Sequence, residues 1–190
     1  MPTISFTRLG TEFLYRENLV NFASSGDYFI GAVFEFFETG NNWDMVAGWR
    51  VTPNTTGANG SPVLQAMSTN STQFGVHNTD LVDTRIKVDV TTRLGKRIAT
   101  VGRNGGTNGN GGTVTVTATG NSQATYSTTA NQTWPSNATS NFQIGGRQQG
   151  STGYGNKYIS EIVCCSANLS AADRQLLEGY LAWKWSGLIT

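Results

Sequence analysis

The sequence predicts an all-β chain: a two-sheet antiparallel jelly-roll β-sandwich with one α-helix near its C-terminal end. Three observations carry this. Short runs of β-branched and aromatic residues recur between Gly, Asn and Pro signals along most of the chain, the rhythm of sandwich strands and their turns. Aromatic residues make up 11 % of the 190 residues and charged residues 13 %, the latter about half the usual share. The chain therefore holds core-forming side chains without the charge of a disordered segment. An apolar pattern near a 3.6-residue period appears only close to the end. The length fits one domain, residues 1–190, and suffices to bury a full core without metals or disulfides.

Taken in order, Thr3 to Arg8 reads as a first strand with Ile4 and Phe6 on one face, and Leu14 to Phe22 as irregular or short helix. Asp27 to Glu38 is the strongest strand. Both of its alternating faces are apolar, which predicts a central strand covered on two sides. Gly40-Asn41-Asn42 marks a turn, and Met45, Ala47, Trp49 and Val51 line one face of the next strand. Val63 to Met67 and Gln73 to His77 form a further pair, and Ile86, Val88 and Val90 alternate with polar residues as a half-exposed strand does. Lys96 to Gly102 and Thr113 to Thr119 form a long-looped hairpin, with Val114, Val116 and Ala118 inward and the threonines outward. Gln123 to Thr128, a strand beginning at Phe142 and Ile144, and Tyr158 to Cys165 complete the set.

The helix is placed at about residues 170–185. Ser170 with Asp173 three residues later resembles a capping box, and an acid there suits the helix dipole. Leu176, Leu177, Tyr180, Leu181 and Trp183 form its apolar arc. Gly179 costs roughly 1 kcal/mol in a helix interior, which predicts a close approach of another backbone at that point.

Charge and composition exclude several classes. The formal net charge is +1 and no Lys/Arg run occurs, so no nucleic-acid partner is expected. A near-neutral surface tolerates self-association. No apolar stretch approaches the roughly 18–20 residues of a membrane span. Met1-Pro2-Thr3-Ile4 lacks a basic segment with an apolar run behind it, so synthesis in a host cytoplasm without a signal peptide is expected. Cys164 and Cys165 are adjacent; on a strand they point to opposite faces, one thiol in the core and one outward, and make a poor intrachain staple.

The last third carries a more specific pattern. Phe142-Gln-Ile-Gly-Gly146 leads to Gly155-Asn-Lys-Tyr-Ile-Ser-Glu-Ile162, and then to Leu169-Ser-Ala-Ala-Asp-Arg-Gln-Leu-Leu-Glu-Gly-Tyr-Leu-Ala-Trp-Lys-Trp185. These residues resemble the C-terminal signature of concanavalin A-like, laminin G-like jelly rolls of bacterial and phage proteins. The resemblance implies two curved antiparallel sheets. It spans lectins, polysaccharide hydrolases, adhesion modules and virion proteins, so fold alone does not choose among them.

Hydrolases of that fold carry Glu-x-Asp-x-Glu on one strand, which sets two carboxylates on the same face. Here Glu35 and Glu38 are three apart, as are Asp80 and Asp83, and Asp89 is flanked at two residues by Lys87 and Thr91. His77 is the sole histidine and has no nucleophile motif beside it. No enzyme activity is expected. The loop from Arg103 to Gly112 lacks the Gly-Lys-Ser/Thr ending of a phosphate loop; it is a hairpin tip, with Asn104, Asn108 and Asn110 as contact candidates. Calcium is common at the rim of such domains; Asp44, Asp80 and Asp83 are the acidic candidates, but no cofactor or metal is expected. Trp43 with Asp44, Trp134 and Tyr154 lie in predicted loops and are the candidates for stacking on a sugar. Trp49, Trp183 and Trp185 are expected in the core or against the helix. Asn-x-Ser/Thr triplets at Asn54 and Asn137 are chance in so Asn/Thr-rich a chain.

The resemblance, the missing acid pair and the almost uncharged stretch between Arg103 and Lys157 lead to a first expectation: a non-enzymatic structural virion protein of a bacteriophage, a capsid decoration or other virion-surface protein that assembles by protein–protein contacts. Its expected partners are major capsid or other virion proteins, and its expected state a symmetric homo-oligomer such as a trimer. The alternative is a lectin-like carbohydrate-binding adhesion module, on a tail fibre or another host-binding surface, that recognises host glycans.

Overall fold

The structure is a computed structural model that describes residues 4–6, 14–16, 27–37, 44–51, 63–66, 73–76, 86–89, 94–104, 113–118, 124–127, 140–146 and 156–185. These form twelve strands and one helix: β1 (Ile4–Phe6), β2 (Leu14–Arg16), β3 (Tyr28–Phe36), β4 (Met45–Val51), β5 (Val63–Ala66), β6 (Gln73–Val76), β7 (Ile86–Asp89), β8 (Gly95–Asn104), β9 (Thr113–Ala118), β10 (Ala124–Ser127), β11 (Ser140–Ile144), β12 (Lys157–Cys165) and α1 (Ala171–Lys184). They build two six-stranded sheets, ordered β1-β12-β3-β8-β9-β10 and β2-β11-β4-β5-β6-β7. Every strand pair in both sheets is antiparallel.

The sheets stack with β4 opposite β3, and β5 and β6 opposite β8. Between them lies one apolar layer. Tyr28, Ile30, Ala32, Phe34 and Phe36 of β3, Ala99 and Val101 of β8, and Val114, Val116 and Ala118 of β9 supply the first sheet's share; Val46 and Leu64 answer from the second. The predicted double coverage of β3 is met. Its other face carries Val33, which packs with Ile98 of β8 against Leu181 and Ala182 of α1. The strand is hydrophobic all round because one side meets a sheet and the other a helix.

Two elements differ from the sequence reading. Residues 14–16 are a short edge strand paired to β11, with Leu14 opposite Ile144 and Arg16 opposite Phe142; three residues are too few for a period to show. In β12 the pairing with β3 slips between Ile159 and Glu161. Ile159 lies opposite Phe34, on the inner face, whereas Glu161 lies opposite Val33, on the outer face. A bulge at Ser160 thus turns Glu161 outward and Ile162 inward. The Ile-Gly-Gly signature has a backbone reason: Gly145 ends β11 at φ 83° and donates its N–H to Val46 O at 3.0 Å, a conformation that favours glycine.

The helix starts as predicted. Ser170 Oγ accepts from the Asp173 N–H at 3.1 Å and donates to Asp173 Oδ2 at 2.7 Å. Two expectations about its sequence are corrected. Among the described residues no backbone approaches Gly179: the residue is exposed and an added Cβ meets none of them within 4 Å. Trp183 is 77 % exposed rather than packed, because Leu177, Leu181, Ala182 and Trp185 already fill the contact with the sheet. The side chain of Trp49 lies outside the described residues. The thiol expectation also needs correcting. Cys164 pairs with Ile30 and Cys165 with Phe29, on opposite faces as foreseen, but Cys164 is exposed, Cys165 is half-buried and both are free.

The close approach is at Gly102 instead, and a side chain makes it: an added Cβ would run into the end of the Asn168 amide, with Cγ at 3.0 Å. Gly102→Ala is expected to destabilise by about 1 kcal/mol, the low end for an overpacked site, because the end of the Asn168 side chain can turn away. Gly179→Ala is expected to stabilise by about 0.5–1 kcal/mol by removing the backbone-entropy cost of glycine in a helix. Urea denaturation of both variants checks the pair, and equal effects would contradict the placement of the two glycines.

Candidate functional site

The sequence-predicted site residues divide into three groups. Trp43, Trp134, Tyr154, Asn108, Asn110, Asp80, Asp83 and His77 lie outside the described residues. Asn104 is exposed at the end of β8, opposite Thr113, where the hairpin leaves the sheet. Asp44 is fully buried just before β4. The expectation of a solvent-facing loop carboxylate at Asp44 is therefore not met: this side chain is out of reach of a ligand arriving from solvent. Among the described residues no three His, Cys, Asp or Glu side chains gather as a metal site.

The outer face of the first sheet has two halves. One half is covered by α1 and held by two polar anchors beside its apolar seam. Near the middle of the helix, Glu178 Oε1 accepts from Thr117 Oγ1 at 2.8 Å, and the Thr117 oxygen in turn accepts from the Thr100 hydroxyl, which lies 3.3 Å from the same carboxylate oxygen. At the helix end, Glu161 accepts from Trp185 Nε1 at 2.6 Å and from Lys184 Nζ at 3.0 Å. Partial burial alone raises the Glu161 carboxyl, but the indole hydrogen bond, the Lys184 hydrogen bond and its charge outweigh it, and the net shift is downward from the ordinary 4.5. The Glu161 hydrogen bond in turn raises Lys184, against the opposing pull of desolvation.

Two residues further along the strands, past Val33 and Ile98, the face is open. The pairing registers place Ser5 of β1, Tyr158 of β12, Glu35 of β3 and Lys96 of β8 in one row across four strands, with neighbours about 4.8 Å apart. Ser5 and Lys96 are exposed and Glu35 is half-buried. Tyr158 is 40 % and Phe37 46 % exposed. Their rings meet edge to face at 4.4 Å, and the Phe37 N–H donates to Asn156 O at 3.1 Å, which ties the strand end down. Leu94 is also exposed and bridges to Phe36. The row thus combines two partly bare aromatic rings with a hydroxyl, a carboxylate and an ammonium on a rigid sheet.

Such a surface can stack on the apolar face of a pyranose and hydrogen-bond its hydroxyls, and Lys96 can pair with an anionic substituent. The sequence reading missed it because Phe37 and Tyr158 sit inside strand patterns. The available signal was an aromatic at a strand position whose other face was already assigned to the core. Two acids of the outer face are taken up by the helix: Glu161 and Glu178 hold α1, and the downward shift of Glu161 is opposite to what a general acid at neutral pH requires, whereas Glu35 stands on the open half. The cations Arg103 and Lys157 are fully buried toward the core and do not reach this row.

No family model matches the chain, and no curated protein matches it. Solved structures do. The carbohydrate-binding module CBM40 of the Ruminococcus gnavus IT-sialidase is similar with a TM-score of 0.63 at 10 % identity, over 83 % of this chain and 85 % of that one. The same module bound to α2,3-sialyllactose gives 0.60 at 12 % identity, over 82 % and 84 %. The NanB sialidase of Streptococcus pneumoniae gives 0.60 at 11 % identity, over 92 % of this chain but 27 % of its own. At these identities the likeness is one of fold: a β-sandwich of the concanavalin A-like type.

The Glu161 anchor makes a pH prediction. Its carboxyl is depressed in the folded state, so its contribution is fully present above the ordinary value of 4.5 and is lost as pH falls through the lower folded value. On acidification the Trp185 indole N–H resonance should keep its hydrogen-bonded shift through the ordinary carboxyl range and lose it only below that range, and Glu161→Gln should weaken helix docking at neutral pH. A Trp185 resonance indifferent to both changes would contradict the anchor.

Proposed function

We propose that this chain is a non-catalytic carbohydrate-binding module that takes sialylated, acidic oligosaccharides on the open half of its first sheet. The observation that carries the reading is the aromatic and polar row Ser5–Tyr158–Glu35–Lys96 with Phe37 beside it, on a fold similar over most of both chains to a module solved with sialyllactose. In this reading Tyr158 stacks against the sugar ring with Phe37 set edge to face beside it, Ser5 and Glu35 bind hydroxyls, and Lys96 pairs with the sugar carboxylate. The strands hold these groups in place, so little ordering entropy is lost on binding.

The module bound to α2,3- and to α2,6-sialyllactose weighs for the lectin-like alternative over the virion-structural expectation. Similarity to parts of sialidases does not bring their chemistry along: fold and function separate readily, and Glu161 and Glu178 are tied to α1.

Titration calorimetry with α2,3- and α2,6-sialyllactose and with lactose tests the reading. Binding of the sialylated sugars is expected. Tyr158→Ala should weaken it at least about tenfold, and Lys96→Glu should weaken the sialylated sugars while sparing lactose. Retained binding in both variants, lost instead in Trp134→Ala, would move the site to the loops. No binding to any sugar of a broad glycan array would overturn the function itself.

A further inference from the structure

The helix α1 has two apolar faces, and docking on the sheet accounts for one. Leu177, Leu181, Ala182 and Trp185 face the sheet. Leu176, Tyr180 and Trp183 lie on roughly the opposite side of the helix and are 72 %, 48 % and 77 % exposed. The Tyr180 and Trp183 rings are 6.2 Å apart, so the stripe is continuous rather than three scattered residues. A helix that only closes a sandwich needs polar residues there. We propose that this stripe is the contact between two copies of the chain, packed with their α1 helices antiparallel about a two-fold axis.

The symmetry follows from the sequence positions. With the axis crossing between Gly179 and Tyr180, Leu176 of each copy meets Trp183 of the other, and Tyr180 of each meets Tyr180 of the other across the axis, with the two Gly179 residues on the other flank. Charge supports the antiparallel sense. The first turn carries Asp173 and the last turn Lys184, both on the flank of the stripe, so each acid of one copy comes within about a turn of the other copy's lysine, and the helix dipoles oppose. An ammonium has three donors, so Lys184 can serve its own Glu161 and the other copy's Asp173 together. A net charge of +1 offers little repulsion. Because the stripe points away from the sheet, the two sandwiches lie on opposite sides of the helix pair.

The area sets the strength. Three such side chains expose on the order of 400 Å² per copy, about half the share of a standard interface. The contact is therefore a reversible dimer rather than an obligate one, and it would make any ligand site on the monomer bivalent.

Sedimentation velocity of the full chain over a range of concentrations reads the proposal. A monomer–dimer equilibrium is expected, with the dissociation constant raised at least about tenfold in Trp183→Glu. These residues are exposed, so the variant should keep the wild-type circular dichroism. A second readout stands apart from that variant: in a Cys164→Ser/Cys165→Ser background, Gly179→Cys should oxidise to a covalent dimer, while Gln175→Cys, off the stripe, should not. A chain monomeric at every concentration, a dimer indifferent to Trp183→Glu, or crosslinking at Gln175→Cys alone would overturn it.

Discussion

Everything in this structure depends on β3 being buried from both sides. Its inner residues meet the second sheet and its outer Val33 meets α1. A strand with apolar side chains on both faces is insoluble unless both are covered, so the helix is an obligatory part of the core layer arrangement. Fully burying a single side chain such as Leu181 contributes roughly 1.5–3 kcal/mol, and the seam involves several.

The polar anchors decide where the helix lies rather than whether it binds. Glu178 reaches two threonines on β8 and β9, while Glu161 on β12 gathers the indole and ammonium at the helix end. Together they run the helix obliquely across four strands and stop it short of Glu35. That stop leaves the Tyr158 and Phe37 rings bare. The candidate sugar surface and the helix anchor are thus two consequences of one docking position, set on either side of the same bulge in β12.

The strand set was legible because its cue is local. Alternation in β9, with Val114, Val116 and Ala118 buried between half-exposed threonines, can be read residue by residue. The cap at Ser170 was equally readable. The candidate site was not. Tyr158 and Phe37 look like ordinary strand aromatics until the helix is placed, and Asp44 looks like a loop acid until the sheets close over it. Trp183 shows the same limit from the other side: an aromatic at a helical period cannot reveal which of two faces the sheet takes.

By itself the sequence determined the class of fold, the central strand, the hairpin of β8 and β9, and the start of the closing helix, because each follows from period, turn chemistry or capping within a few residues. Only the tertiary structure decided that Glu161 faces the helix, that one apolar stripe of α1 is docked while the other stays bare, and that four strands line up Ser5, Tyr158, Glu35 and Lys96. Those outcomes depend on the register between strands far apart in the chain, and a single bulged residue at Ser160 reverses the face of everything beyond it.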